Sequence, residues 1–108
     1  MLDNGYASIL LFLGAMYHGI VIVPLNVLAG SKQIKYTIDH SECKLIFSSD
    51  FYKTKFADIL NLSTAQVVQY SGVNSLSISD NEEVNLAQTQ TKPATPAVLI
   101  YTSGTTGD

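Results

Sequence analysis

An apolar run that ends in a glycine- and hydroxyl-rich loop is the feature that most constrains this 108-residue chain. Residues 97–101 read Ala-Val-Leu-Ile-Tyr, and residues 102–107 read Thr-Ser-Gly-Thr-Thr-Gly. The apolar residues predict a buried strand, because continuous β-favouring runs are typical of strands covered on both faces. The loop would then lie at the carboxyl end of the strand, where parallel sheets bind their ligands.

The residues of this loop, Thr102, Ser103, Gly104, Thr105, Thr106 and Gly107, suit the binding of phosphate. The two glycines let the backbone approach a ligand closely, and the hydroxyl and backbone N–H groups can donate to phosphate oxygens. The loop carries no cationic side chain, so Mg²⁺ or a Lys or Arg from elsewhere would have to supply positive charge. An ordinary solvated turn is the alternative, since the same residue types are common in turns.

Two other phosphate-loop classes do not fit the spacing. A Walker A loop requires four residues between its glycines and a following Lys, and neither is present here. Gly104-Thr105-Thr106-Gly107 matches the short glycine loop of KH modules, but that loop joins helices in a basic domain. Here the loop follows a predicted strand in a chain of net charge −3.

Upstream, apolar strands alternate with helical patterns, which predicts an α/β fold with a mostly parallel sheet and flanking helices. The first helix, Tyr6 to His18, is apolar on most faces, which predicts burial, and Asp3 or Asn4 could cap it. His18 in its last turn is expected to stabilise the helix dipole rather than to bind a ligand. Gly19 is expected to be a C-cap, followed by a central strand at Ile20–Val23. The next helix is expected to be capped by Ser31, to bury Ile34 and Ile38, and to expose Lys32, Lys35, Asp39 and Glu42. A strand at Lys44–Phe47, a turn and helix cap at Ser48–Asp50, one helix burying Phe51, Phe56, Ile59 and Leu60, and a strand at Ala65–Tyr70 complete the prediction.

Composition excludes several partners. Six Lys, no Arg and a net negative charge argue against nucleic acid. Residues 5–25 approach the length of a membrane span, but the helix-stop signal at Gly19 and the strand that ends at Pro24 predict no transmembrane segment. The lone Cys43 is expected to be a structural thiol in a reducing compartment, which favours the cytoplasm.

A polar stretch from 71 to 96 is expected to be a long connection with at most one short helix, near Asn81 to Ala87. The carboxylates of Asp80, Glu82 and Glu83 lie in it, and adjacent acidic residues of this kind are more often solvated than metal-binding.

Two stretches resemble the adenylate-forming enzymes, the superfamily of acyl-CoA synthetases, peptide-synthetase adenylation domains and luciferases. Tyr101 to Gly107 looks like their phosphate-binding signature, and residues 14–26, which end in Val-Pro-Leu-Asn, resemble a helix–glycine–strand segment of the family. The family signature continues through a variable residue, Pro, Lys and Gly. Asp108 occupies the variable position, and the motif Lys is not in this chain.

The resemblance implies that residues 1–108 are a fragment of an AMP-binding (adenylation) N-terminal domain. Such enzymes use ATP and Mg²⁺ to activate a carboxylic acid, such as a fatty acid, as an acyl-adenylate, which passes to the thiol of coenzyme A or of a carrier protein. Residues Thr102 to Gly107 would hold the β- and γ-phosphates. No catalytic residue and no metal ligand of the family falls within the chain, so the fragment is expected to be inactive alone.

Two other classes of function stay open. One is a stand-alone nucleotide- or phosphate-binding module. The other is a non-catalytic structural fragment whose first helix associates with membranes. A fragment of a larger sheet would also expose strand edges and apolar helix faces, which predicts poor solubility or oligomerisation.

Overall fold

The computed structural model describes residues 1–71 and 92–102 and shows an α/β arrangement with parallel strand pairing. The strands β1 (Leu45–Ser49) and β2 (Gln66–Tyr70) form a parallel pair in which Leu45 lies opposite Gln66 and Ser49 lies opposite Tyr70. An isolated parallel bridge joins Ile22 to Val98. The elements in these ranges are α1 (Tyr6–Tyr17), α2 (Ser31–Ser41), β1 (Leu45–Ser49), α3 (Asp50–Lys55), α4 (Ala57–Leu62) and β2 (Gln66–Tyr70). The predicted fold class is confirmed.

Helix α1 ends as its glycine predicts. Gly19 takes the left-handed conformation, with φ of 69°, which a glycine adopts without a Cβ clash. Its N–H donates to the carbonyl of Met16 at 3.2 Å, and the N–H of Ile20 donates to the carbonyl of Ala15 at 2.8 Å. This pair of bonds is a Schellman motif, and it satisfies carbonyls that the helix end leaves unpaired.

The predicted N-cap of α1 is wrong. Gly5 precedes the helix, and no side chain caps it. The Asp3 carboxylate instead accepts a hydrogen bond of 2.6 Å from the hydroxyl of Tyr52, and the Asp3 carbonyl accepts one from Ser8. The Asp3 side chain, which local sequence predicts to cap α1, therefore binds Tyr52 instead.

Helix α2 is amphipathic, as predicted. Ile34 and Ile38 are buried, and the charged residues Lys32, Lys35, Asp39 and Glu42 are exposed. The helix begins one residue earlier than the predicted cap implies: Gly30 is the N-cap, and Ser31 is the first helical residue. The two isoleucines belong to the hydrophobic core, whose buried members are Ile34, Ile38, Ile46, Tyr52, Phe56 and Leu60.

The segment from 45 to 62 differs from its prediction in two ways. Ser48 and Ser49 extend β1 rather than forming a turn. The predicted cap is confirmed, because the Ser49 hydroxyl caps α3 by accepting from the N–H of Tyr52 at 3.4 Å. The single predicted helix is two short helices, because Phe56 leaves helical geometry with φ of −112° and ψ of 24°. Phe51 is 66% exposed, whereas Tyr52 is buried in its place.

Helix α1 is not buried in this structure. Ala7 is its one buried residue, and Ile9 and Leu13 are 58% and 61% exposed. Among the helices of the described residues, none has both the length and the apolar character needed to cross a membrane.

The predicted connection from 71 to 96 lies mostly outside the described residues, and so do the short helix near Asn81 to Ala87 and the carboxylates of Asp80, Glu82 and Glu83. The described end of the connection is a turn in which the N–H of Thr95 donates to the carbonyl of Lys92 at 2.9 Å. This turn leads directly into the segment that precedes the glycine loop.

Candidate functional site

The segment before the predicted phosphate loop pairs in parallel with the segment after α1. The N–H of Ile22 donates to the carbonyl of Ala97 at 3.0 Å, and the N–H of Leu99 donates to the carbonyl of Ile22 at 2.8 Å. Parallel pairing means that both segments run toward the same edge. Thr102 therefore lies at the carboxyl end of the paired segments, where the sequence predicts the site.

Neither of these two paired segments is a covered strand. Ile20 and Val21 are 58% and 44% exposed, and Leu99 and Ile100 are 43% and 69% exposed. The prediction of strands buried on both faces is therefore wrong for this structure. The backbone pairing is in place, but no layer among the described residues covers these side chains.

Of the six predicted phosphate-loop residues, Thr102 is within the described part of the chain, and its side chain is exposed. The residues Ser103, Gly104, Thr105, Thr106 and Gly107 lie outside it. Their role in binding phosphate therefore stays a prediction from the sequence.

An aromatic cluster surrounds Tyr101, the residue immediately before the loop. Tyr36 and His40 lie one turn apart on α2, and their rings stack at 5.2 Å between centroids and 25° between planes. The Tyr101 ring meets both edge-on, 6.3 Å from Tyr36 and 5.6 Å from His40. The hydroxyl of Tyr101 also makes a hydrogen bond of 2.8 Å with Nδ1 of His40. This cluster connects α2 to the end of the segment that carries the loop.

Sequence reasoning did not predict this cluster. The spacing of Tyr36 and His40 places them on one face of α2, away from the buried Ile34 and Ile38. That spacing could have identified an aromatic pair. Nothing in it indicates a partner 61 residues further along the chain.

Two other residues considered at the sequence level remain without a functional assignment. Cys43 is half-buried, and its thiol lies 3.9 Å from the carbonyl of Ile38, an arrangement that suits a structural residue. His18 is exposed at the end of α1, where its ring lies edge-on to Tyr17 at 5.4 Å. Within residues 1–71 and 92–102, no three His, Cys, Asp or Glu residues group together to hold a metal ion.

These features define the class of the protein: an α/β unit with parallel strand pairing, in which the segment that ends at Thr102 pairs in parallel with the segment after α1. Comparison with known families then places it. The family model described as AMP-binding enzyme matches residues 1–108, the whole chain, so the protein belongs to the AMP-binding enzyme family.

Several curated CoA ligases are similar to the chain. A sulfoacetate–CoA ligase from Cupriavidus necator is 32% identical over 98% of the chain and 22% of its own length. A 4-coumarate–CoA ligase-like protein from Arabidopsis thaliana is 30% identical over 90% of the chain and 17% of its own length. A 3-hydroxybenzoate–CoA ligase from Aromatoleum sp. is 28% identical over 99% of the chain and 22% of its own length.

The chain spans about a fifth of the length of these curated relatives. No solved structure matches it significantly. The family is thus shown by sequence over the whole chain.

Proposed function

We propose that this chain is the part of an ATP-dependent acid–thiol ligase that binds the β- and γ-phosphates of ATP, through Thr102, Ser103, Gly104, Thr105, Thr106 and Gly107. The observation that carries the proposal is the motif at 101–107 in a chain matched over residues 1–108 by the AMP-binding family. The parallel bridge between Ile22 and Val98 adds support, because ligands of parallel α/β sheets bind at the carboxyl ends of the strands, and Val98 lies just before the motif in the chain.

The proposed reaction has two steps. A carboxylate oxygen of the acid attacks the α-phosphorus of ATP, the bond to the bridging oxygen breaks, and pyrophosphate leaves with its electron pair. The thiolate of coenzyme A, or of a carrier protein, then attacks the acyl carbon, and AMP leaves. The loop would bind the phosphates that become the leaving group, so that its N–H and hydroxyl donors stabilise the charge that develops there.

We infer that Mg²⁺ supplies the positive charge and is held by phosphate oxygens and by protein ligands, as is usual for Mg²⁺ at nucleotide sites. Residues 1–71 and 92–102 contain no group of three or more His, Cys, Asp or Glu side chains that could hold a metal ion. The relatives are named for acids as different as sulfoacetate and 3-hydroxybenzoate, so a carboxylic acid is the class of substrate that the proposal names. The cytoplasm is the proposed location.

Isothermal titration with ATP·Mg²⁺ and with pyrophosphate tests the binding step. We expect the ligase polypeptide that includes residues 1–108 to bind both, and we expect Gly104→Val to abolish binding because its side chain would occupy the space of the approaching phosphate. Gly14→Val is the matched control, since a Cβ at Gly14 meets no other atom within 4 Å. Equal binding by the two variants would contradict the proposal.

Isotope exchange tests the reaction. Radiolabelled pyrophosphate should exchange into ATP with the complete ligase and its acid, and should not exchange with residues 1–108 alone. Exchange by the isolated chain would show that the fragment hypothesis is wrong. Saturable ATP binding by the isolated chain that is lost in Gly104→Val would instead favour a stand-alone nucleotide-binding module.

A further inference from the structure

The cluster of Tyr36, His40 and Tyr101 joins the solvent-facing side of α2 to the residue that precedes the phosphate loop. Helix α2 is itself anchored, because Ile34 and Ile38 on its other side are 1% and 4% exposed within the core. The stacked rings of Tyr36 and His40 therefore project from an anchored helix, and the Tyr101 ring packs against both of them nearly at right angles.

The hydrogen bond between Tyr101 and His40 restricts the orientation of the Tyr101 ring. Ring contacts alone allow the phenol to shift and rotate, whereas a hydrogen bond of 2.8 Å between its oxygen and Nδ1 of His40 fixes the position of the hydroxyl group. Either the phenol donates to Nδ1 or the protonated Nδ1 donates to the phenol oxygen, and both arrangements require the hydroxyl group.

The backbone on the other side of Tyr101 is also held. Leu99 lies two residues before Tyr101, and its N–H donates a hydrogen bond to the carbonyl of Ile22. The chain is thus fixed by backbone pairing at Leu99 and by a side-chain contact at Tyr101, directly before Thr102. Binding sites gain affinity when their donors are held in place before the ligand arrives.

We propose that Tyr36 and His40 are positioning residues for the phosphate loop, which hold Tyr101 and thereby orient the backbone where the loop begins. This inference rests on the proposed function, because it assigns the cluster to the same phosphate site. Neither residue needs to contact ATP.

The test is isothermal titration of the intact ligase with pyrophosphate, ATP·Mg²⁺ and AMP. Tyr101→Phe removes the hydroxyl and keeps the ring, and His40→Phe keeps an aromatic ring but removes Nδ1. We expect either variant to weaken pyrophosphate and ATP·Mg²⁺ binding about three- to tenfold, the range of one lost hydrogen bond. The affinity for AMP, which lacks the β- and γ-phosphates, should stay unchanged, whereas a general structural defect would weaken all three ligands.

Two further variants complete the test. Tyr6→Phe is the control, because Tyr6 lies on α1, outside the cluster, and is 66% exposed; it should bind pyrophosphate like the wild type. His40→Asn retains a polar atom near the position of Nδ1 and should recover part of the affinity that His40→Phe loses.

The outcomes distinguish this inference from the function on which it rests. If the wild type binds pyrophosphate and both Tyr101→Phe and His40→Phe bind it equally well, the positioning role is wrong and the phosphate site stands. A uniform loss of affinity for all three ligands also overturns the positioning role. If the wild type binds neither pyrophosphate nor ATP·Mg²⁺, the proposed function fails, and the positioning role fails with it.

Discussion

Two regions of the molecule are rich in apolar residues: the β1–α3–α4–β2 unit together with α2, and the segment that contains α1. Among the residues that the structure describes, only the first region has a core of buried side chains. In the first region, Ile46, Phe56 and Leu60 are 4–5% exposed around a paired parallel sheet. In the second, Ile9 and Leu13 of α1 are mostly exposed. An amphipathic helix such as α2 needs one apolar partner surface, whereas a helix that is apolar all round needs several. Apolar content alone therefore does not create a core.

The largest expected difference between the two regions is in the free energy of unfolding lost when an isoleucine is replaced by alanine. Ile34→Ala leaves a cavity beneath α2 and should lower the free energy of unfolding by about 2–5 kcal/mol. Ile9→Ala, at a position 58% exposed on α1, should change it by less than about 0.5 kcal/mol. Urea unfolding followed by circular dichroism measures both. Similar losses in the two variants would mean that α1 is buried in solution.

The uncovered face of α1 should drive self-association of the 108-residue chain. Replacing Ile9 and Leu13 by Lys together should weaken that association by at least about tenfold, because burying a charge without a partner is costly. Size-exclusion chromatography with light scattering reports the mass of each species. A wild-type chain that is a monodisperse, cooperatively melting monomer would contradict this expectation, and the melting temperature of the double variant controls for unfolding.

The hydrogen bond between Asp3 and Tyr52 links the two regions, and it should make stability depend on alkaline pH. The bond to the carboxylate raises the pKa of the Tyr52 phenol, with burial and the negative charge of Asp3 acting in the same direction. The folded state therefore holds this proton more tightly than the unfolded state. The stabilisation should be fully present below the ordinary tyrosine pKa, about 10, and be lost as pH rises through the higher folded value.

Urea unfolding between pH 8 and pH 11 measures this effect, and Tyr52→Phe removes the titrating group while leaving the other tyrosines and the lysines in place. The difference in unfolding free energy between wild type and variant should shrink as pH rises. A constant difference over this range would show that the phenol and Asp3 do not interact in solution.

The smallest effect should come from the ion pair between Lys35 and Asp39 on the solvent side of α2. Both side chains are about half exposed, and they lie one helical turn apart. Asp39→Asn should lower the unfolding free energy by no more than about 0.5 kcal/mol, and 1 M salt should remove the difference. Chemical denaturation at low and high salt provides the test. A loss comparable to that of Ile34→Ala would mean that this face of α2 is not solvated.

Much of the fold could be predicted from local pattern. The helix at 6–17, its stop at Gly19, the buried pair Ile34 and Ile38, and parallel strands at 45–49 and 66–70 all follow from periodicity and residue type. These signals act over a few residues, so they can be read along the chain without knowledge of its partners. The motif at 101–107 belongs to the same category, and it indicated the family that comparison then showed.

Predictions from local sequence were wrong where a residue makes a contact with a distant part of the chain. Tyr52 rather than Phe51 is in the core, and the Asp3 carboxylate binds Tyr52 rather than the start of α1. Phe56 interrupts a helix that its local pattern would continue, and it is buried in the core with Ile34 and Ile46. In each case a tertiary contact outweighed a local preference, which is worth only tenths of a kcal/mol to about 1 kcal/mol per residue.

The sequence by itself determined the α/β class, the amphipathic face of α2, the stop of α1 and the family motif at 101–107, because each depends on residues close together in the chain. Only the tertiary structure decided which apolar residues are buried and that His40 meets Tyr101 across 61 positions. The physical reason is that burial and long-range hydrogen bonds depend on which surfaces pack together. The periodicity of a single segment does not indicate which other segment it packs against.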